Sequence, residues 1–155
     1  MYDFLPFATT GLALGAALVA GVFFAFSDFV MRSLADIEAQ HGMVAMQSIN
    51  RKVYRSGFLP LLMGLGPILI GVLVASLAMT DLPGREWLTA GAAIYLVGVI
   101  GVTVLGNVPM NKRLDRGTLA ADYWPHYQVN WTILNHVRTV ASIIAAFCFL
   151  IAGMS

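Results

Sequence analysis

"NWTILNHVRTVASIIAAFCFLIA", Asn130 to Ala152, decides how this chain is read. Its first ten residues carry Asn135, His136, Arg138 and Thr139, and beyond Ser142 it is wholly apolar. Arg138 is the last charged side chain in the sequence. From Trp131 onward the run has about the ~20 residues a helix needs to cross a bilayer. An ionisable group inside such a run is costly in lipid, and it normally faces the bundle interior or a wet cavity.

Three other runs have the same character, which predicts an all-α integral membrane four-helix bundle. The expected spans are about 5–30, 58–79, 87–105 and 131–152, within a single membrane domain, 1–155. Helices satisfy their own backbone hydrogen bonds where no water is available. Composition agrees: 59% of residues are hydrophobic and 11% charged, against about 45–50% and about 25% in soluble domains. The first run lacks a basic start and is too long for the apolar core of a signal peptide. A net charge of +1 without a basic stripe gives no nucleic-acid footprint. The single cysteine, Cys148, lies in the last span and reads as a small buried apolar residue.

Loop charge predicts orientation. Arg32, Arg51, Lys52 and Arg55 lie between spans one and two, and Lys112, Arg113 and Arg116 between spans three and four; the middle connection holds only Arg85. Basic connections stay inside, so both long connections are expected in the cytoplasm and both termini outside, in a bacterial inner membrane. Gly11 and Gly15 form a GxxxG pair, and Ala17 and Gly21 repeat the same four-residue spacing, which predicts close packing of spans one and two. The short turn Thr80 to Gly84 makes spans two and three antiparallel neighbours. A homo-oligomer is left open.

Neither long connection reads as a plain loop. Met43, Gln47, Asn50 and Tyr54 recur at helical spacing, predicting a cytoplasmic helix whose Gln47, Asn50 and Arg51 either form a solvated face or close a pocket. Asn107, Asn111 and Asp115 share a face if the helix persists through Pro109, where a bend is expected. Tyr123, Trp124, Tyr127 and Trp131 form either an interfacial aromatic belt or the wall of a pocket for a flat ligand.

Helical geometry groups the polar residues of the last span. At 100° per residue Trp124, Tyr127, Trp131, Asn135, Arg138, Thr139 and Ser142 fall within an arc of about 120°, with His136 about 60° beyond its edge. Asp28, near the end of span one, is the natural charge partner of Arg138, either as a structural pin or within a site. His136 reads as a hydrogen-bonded histidine at a helix entry, as a general base near neutral pH, or as a metal or haem ligand. No HxxxH pair or Cys/His cluster supports a metal, and a bis-histidine haem would need a second histidine from a facing span.

At "GNVPMN" and "W…Y…W…NHVRT" the sequence resembles the anthrone oxygenases, small four-helix membrane proteins long listed as a domain of unknown function. The likeness also includes Ser27-Asp28 and "MQSIN", Met46 to Asn50. Leu134 departs from it, because a tryptophan is expected before the Asn-His pair. The resemblance implies an oxygen-dependent membrane oxidoreductase that turns an anthrone into an anthraquinone without a dedicated cofactor. On that reading the catalytic candidates are His136 as base, with Arg138, Asn107 and Asn111 stabilising an enolate oxygen. Trp124, Tyr127, Trp131, Asn135, Asp28 and Asn50 are the substrate-binding candidates, and the expected partners are a lipophilic flat molecule and membrane lipid. The alternative is a non-catalytic module that binds haem, quinone or lipid, or a subunit of a larger complex. Transport is disfavoured by four spans without a visible repeat.

Overall fold

The computed structural model describes residues 4–116 and 120–155. Among them every regular element is helical. Helix α1 (Leu5–Ala35), α3 (Phe58–Ala78), α4 (Arg85–Leu114) and α5 (Ala120–Met154) are long and apolar enough to span a membrane. Helix α2 (Ala39–Val53) is shorter and amphipathic and lies between the first two spans. It is the helix expected from the spacing of Met43, Gln47 and Asn50. Met43 and Asn50 are buried, whereas Tyr54 falls just past the helix end and is exposed. A turn at Tyr54–Gly57 separates α2 from α3, so α2 is not a continuation of the second span.

The four long helices pack in a ring in chain order, and the seam between α1 and α5 is the most extensive. This corrects the expected pairing of spans one and two. Gly15 does face Leu61 and Leu65 of α3, but Gly11 and Gly21 meet nothing. The tight seam instead lies between α1 and α5, where Ala13, Ala16 and Ala20 of α1 are buried and a Cβ on Gly153 of α5 would collide with Thr9. Small side chains on both helices let the backbones approach, and dispersion contact holds them together where lipid supplies no hydrophobic drive. Leu62, Leu65 and Leu69 of α3 and Leu88, Tyr95 and Val99 of α4 complete this core. Leu14, Leu18, Val74, Leu77, Val97, Leu105 and Phe147 point outward, as expected of a bundle whose solvent is hydrocarbon.

Helices α3 and α4 are antiparallel neighbours, as the short turn required. Gly84 ends that turn at φ 63°, a left-handed conformation, with its α-carbon against the backbone of Ala152. Thr89 Oγ1 donates to Ser76 Oγ at 2.8 Å across the same pair.

Two spans run past their expected limits. Helix α4 continues through Pro109 to Leu114. Two π-helical stretches, Leu96–Gly101 and Thr103–Asn107, precede the proline. Pro109 therefore stands at the start of a new α-helical segment, where its missing N–H is tolerated. Helix α5 begins about three turns before the apolar run, because Tyr123, Trp124 and Tyr127 are buried rather than spread at an interface. With Trp131, Met31, Met43, Met46 and Leu114 they form a second core beneath α2.

Candidate functional site

The polar residues of α5 form one buried stripe, as the helical angles predicted. Trp124, Tyr127, Trp131, Asn135, Arg138, Thr139 and Ser142 are all buried. Asn135 is central to it. Its amide Nδ2 donates to the Phe23 carbonyl at 2.6 Å and to Ser27 Oγ, and its Oδ1 accepts from Arg138 Nη2 at 2.6 Å. Ser27 lies in a π-helical stretch, Phe26–Val30, and π-turns of this kind often mark functional positions.

Arg138 is only 4% exposed. Its guanidinium carbon lies 4.1 Å from the centre of the Phe23 ring and 5.3 Å from that of Trp131, an arrangement that favours a cation over aromatic faces. Nη1 donates to Thr103 Oγ1 at 3.3 Å, while Nε has no hydrogen-bond partner. Nearby in the same wall, Asn107 donates Nδ2 to the Trp131 carbonyl at 3.2 Å and leaves Oδ1 without a partner. Buried polar groups are seldom left unmatched.

A cavity of about 350 Å³ lies against these groups. Pockets for small ligands run from about 300 to 1,000 Å³ and combine apolar walls with a few convergent polar groups. Phe23, Phe26, Met46, Phe58 and Trp131 supply the walls; Asn50, Thr103, Asn107, Asn111 and Arg138 supply the polar groups; Lys52 and Tyr54 stand at the exposed rim. A hydrogen-bond chain holds one side together. Tyr127 Oη donates to Asn111 Oδ1 at 2.8 Å and accepts from Asn50 Nδ2 at 3.3 Å, and Trp131 Nε1 donates to Asn111 Oδ1 at 2.9 Å. Gln47 Nε2 donates to the Leu114 carbonyl at 2.8 Å, and Arg51 pairs with Asp115 at 2.6 Å. These two contacts fasten α2 over the cavity from outside.

The expected site residues divide cleanly. Arg138, Asn107, Asn111, Asn50 and Trp131 line the cavity. Asn135 sits behind Arg138 and orients it. Trp124 and Tyr127 are not in the wall; they stack under α2, with ring centres 5.7 Å apart. Asp28 is exposed, and among the described residues Arg138 has no carboxylate partner. The physical reason is that adjacent helical residues point about 100° apart, so α1 turns only one of Ser27 and Asp28 inward. Ser27 is the buried one. The same geometry applies on α5: Asn135 faces the interior and His136 is exposed, outside the cavity wall. A base must come within hydrogen-bond reach of the proton it removes, so the expected general-base role of His136 has no geometry behind it. Among the described residues no three His, Cys, Asp or Glu side chains come together as a metal site.

Thr103 and Ser27 were not singled out as site residues from the sequence. Thr103 continues the four-residue spacing of Asn107, Asn111 and Asp115 back into the apolar run, and that was its signal. Leu134, the departure from the expected tryptophan, does not reach the cavity. It packs on α4, where a Cβ on Gly106 would sit 2.7 Å from Leu134 Cδ1.

The family model described as "Anthrone oxygenase" matches residues 51–148, which takes in the end of α2, all of α3 and α4, and most of α5. No curated protein and no solved structure matches the chain. The matched segment is well over half of the 155 residues and includes both "GNVPMN" and the Trp124–Thr139 stretch, so the chain belongs to the anthrone oxygenase family.

Proposed function

We propose that this protein is a membrane-embedded, oxygen-dependent oxidoreductase that acts on a flat, lipophilic aromatic ketone of the anthrone kind. The observation that carries this reading is the Arg138 guanidinium, buried in the wall of an aromatic cavity with no counter-charge among the described residues. An unpaired charge in low dielectric is strongly disfavoured. A ligand that brings or develops negative charge relieves that cost, and the relief is largest at the moment the charge forms.

An anthrone fits these requirements. It partitions into the bilayer, stacks against Phe23, Phe26 or Trp131, and sets its ketone oxygen near Arg138. The enol tautomer of the anthrone, formed outside the cavity, gives its O–H proton to water at the cavity mouth, and the guanidinium stabilises the enolate oxygen that remains. The electron-rich enolate carbon then reacts with molecular oxygen. Two C–H bonds are lost at the methylene carbon, one oxygen atom becomes the new carbonyl, and the other leaves as water. Asn107 and Asn111 orient the ring system beside Arg138. The positive charge of both long connections favours the cytoplasm, which supports a cavity mouth on that side.

The test is oxygen uptake by the full chain in mild detergent with anthrone as substrate. The expected result is one quinone formed for each oxygen consumed, without peroxide. Lack of uptake above the protein-free rate sinks the reading.

A further inference from the structure

The cavity sets a buried cation, Arg138, among aromatic rings. Its described wall has no Asp, Glu, His or Cys. Its ionisable members are Arg138, Lys52 and Tyr54, and the last two stand at the exposed rim. Asp28 and His136 face outward. A methylene carbon acid needs a base within hydrogen-bond reach. A phenolic hydroxyl needs less help. It gives up its proton to water once its oxygen lies against a fixed cation, because a nearby opposite charge favours the ionised form.

The polar wall also offers a matched pair of vacancies. Arg138 Nε is a donor without a partner, and Asn107 Oδ1 is an acceptor without one; both residues line the cavity. The Asn107 amide is oriented by its donation to the Trp131 carbonyl, so its oxygen is the atom left over. A ligand with one oxyanion and one hydroxyl on a flat ring system answers both once the Arg138 and Asn107 side chains turn toward it, since both atoms are enclosed as the structure stands.

We propose that the chain oxidises lipophilic aromatic hydroquinones to quinones with molecular oxygen, releasing hydrogen peroxide, and that it takes anthrones in their enol form, as hydroxyanthracenes. The inference rests on the reading of this cavity as an oxygenase site. The step balances: two O–H bonds break, the ring gives up two electrons and two protons, and oxygen accepts all four to become peroxide. No oxygen atom enters the ring of a hydroquinone, whereas an anthrone enol carries one hydroxyl and takes its second oxygen from molecular oxygen as described above, with water as the other product. Arg138 holds the phenolate from which the first electron leaves, and Asn107 accepts the hydrogen bond of the second hydroxyl.

The experiment uses the full chain in mild detergent with 1,4-dihydroxynaphthalene, following peroxide and quinone together. Expected is peroxide equal to quinone, at a rate well above both the protein-free reaction and the Arg138→Gln variant. Because that variant can fail to fold, a second measurement needs no variant. Binding of 2-naphthol and of its methyl ether to the wild-type chain is followed through tryptophan fluorescence. The naphthol should bind at least about tenfold more tightly, since a hydrogen bond to a charged group is at stake, and its absorption should shift to that of the naphtholate. Equal affinity for the ether, or no acceleration of hydroquinone oxidation, overturns the proposal. If anthrone is consumed under those circumstances, the oxygenase reading survives alone. If hydroquinone is oxidised and anthrone is not, the hydroquinone activity stands, and the uptake of anthrone enols falls together with the anthrone reading.

Discussion

The two ends of the bundle use the same four spans in opposite ways. At the end carrying the Thr80–Gly84 turn, small residues and aliphatic side chains close the interior. At the end covered by α2, the interior holds an arginine, three buried asparagines and a cavity of about 350 Å³. Packing in lipid comes from close approach, and at the first end a Cβ on Gly84, Gly91 or Gly153 would collide with its neighbours. The second end gives up packing for unmatched polar groups, which is the arrangement expected where stability has been exchanged for function. Three π-helical stretches lie toward the second end or lead into it, at Phe26–Val30, Leu96–Gly101 and Thr103–Asn107.

Substitutions can test this contrast. The largest effect is expected from Arg138→Gln: turnover should fall by roughly 10²–10³, the usual cost of removing one group that stabilises a developing oxyanion, with helicity by circular dichroism retained. A loss of only a fewfold would mean that the cavity does not use the cation. Gly84→Ala attacks the packed end. It forces a side chain onto a left-handed backbone that abuts Ala152, and a cost of about 1–3 kcal/mol is expected, read as a lower midpoint of thermal unfolding in detergent. Turnover below that midpoint should be unchanged.

Tyr127→Phe comes next. It removes the hydroxyl that joins Asn50 to Asn111, leaves both amides short of a partner, and should cost about 1–2 kcal/mol. Looser seating of α2, measured as faster amide exchange in Ala39–Val53, is the accompanying sign. Asp115→Asn breaks only the ion pair with Arg51, in which both side chains are about half exposed. Less than about 1 kcal/mol is expected, fading further in high salt. The smallest effects belong to Asp28→Asn and His136→Ala, which face away from the cavity and should leave turnover indistinguishable from wild type. A large loss with His136→Ala would restore that residue to the chemistry and overturn the geometry described above.

Much of this was legible beforehand because it depends on periodicity. Four apolar runs of sufficient length read as four spans, and the 100° step grouped Trp131, Asn135 and Arg138 on one face. Individual neighbours were less legible. Asp28 and Ser27 are adjacent and both polar, and nothing local says which one α1 turns inward. The pairing of α1 with α5 depends on which small-residue faces meet across a ring of helices, and the glycine spacing in α1 alone pointed to α3. The tight contact of Gly106 with Leu134, and the burial of Trp124 and Tyr127 under α2, are likewise agreements between distant segments.

By itself, then, the sequence determined the class of the protein: hydrophobic length and helical period dictate a four-span bundle, and the cost of placing charge in lipid dictates that Arg138 turns inward. Only the tertiary structure decided what Arg138 meets. It meets an asparagine, a threonine and two aromatic rings instead of a carboxylate. The reason is that a helix's period sets which residues share its own face, whereas the partner opposite that face is set by the rotation and depth at which the helices pack.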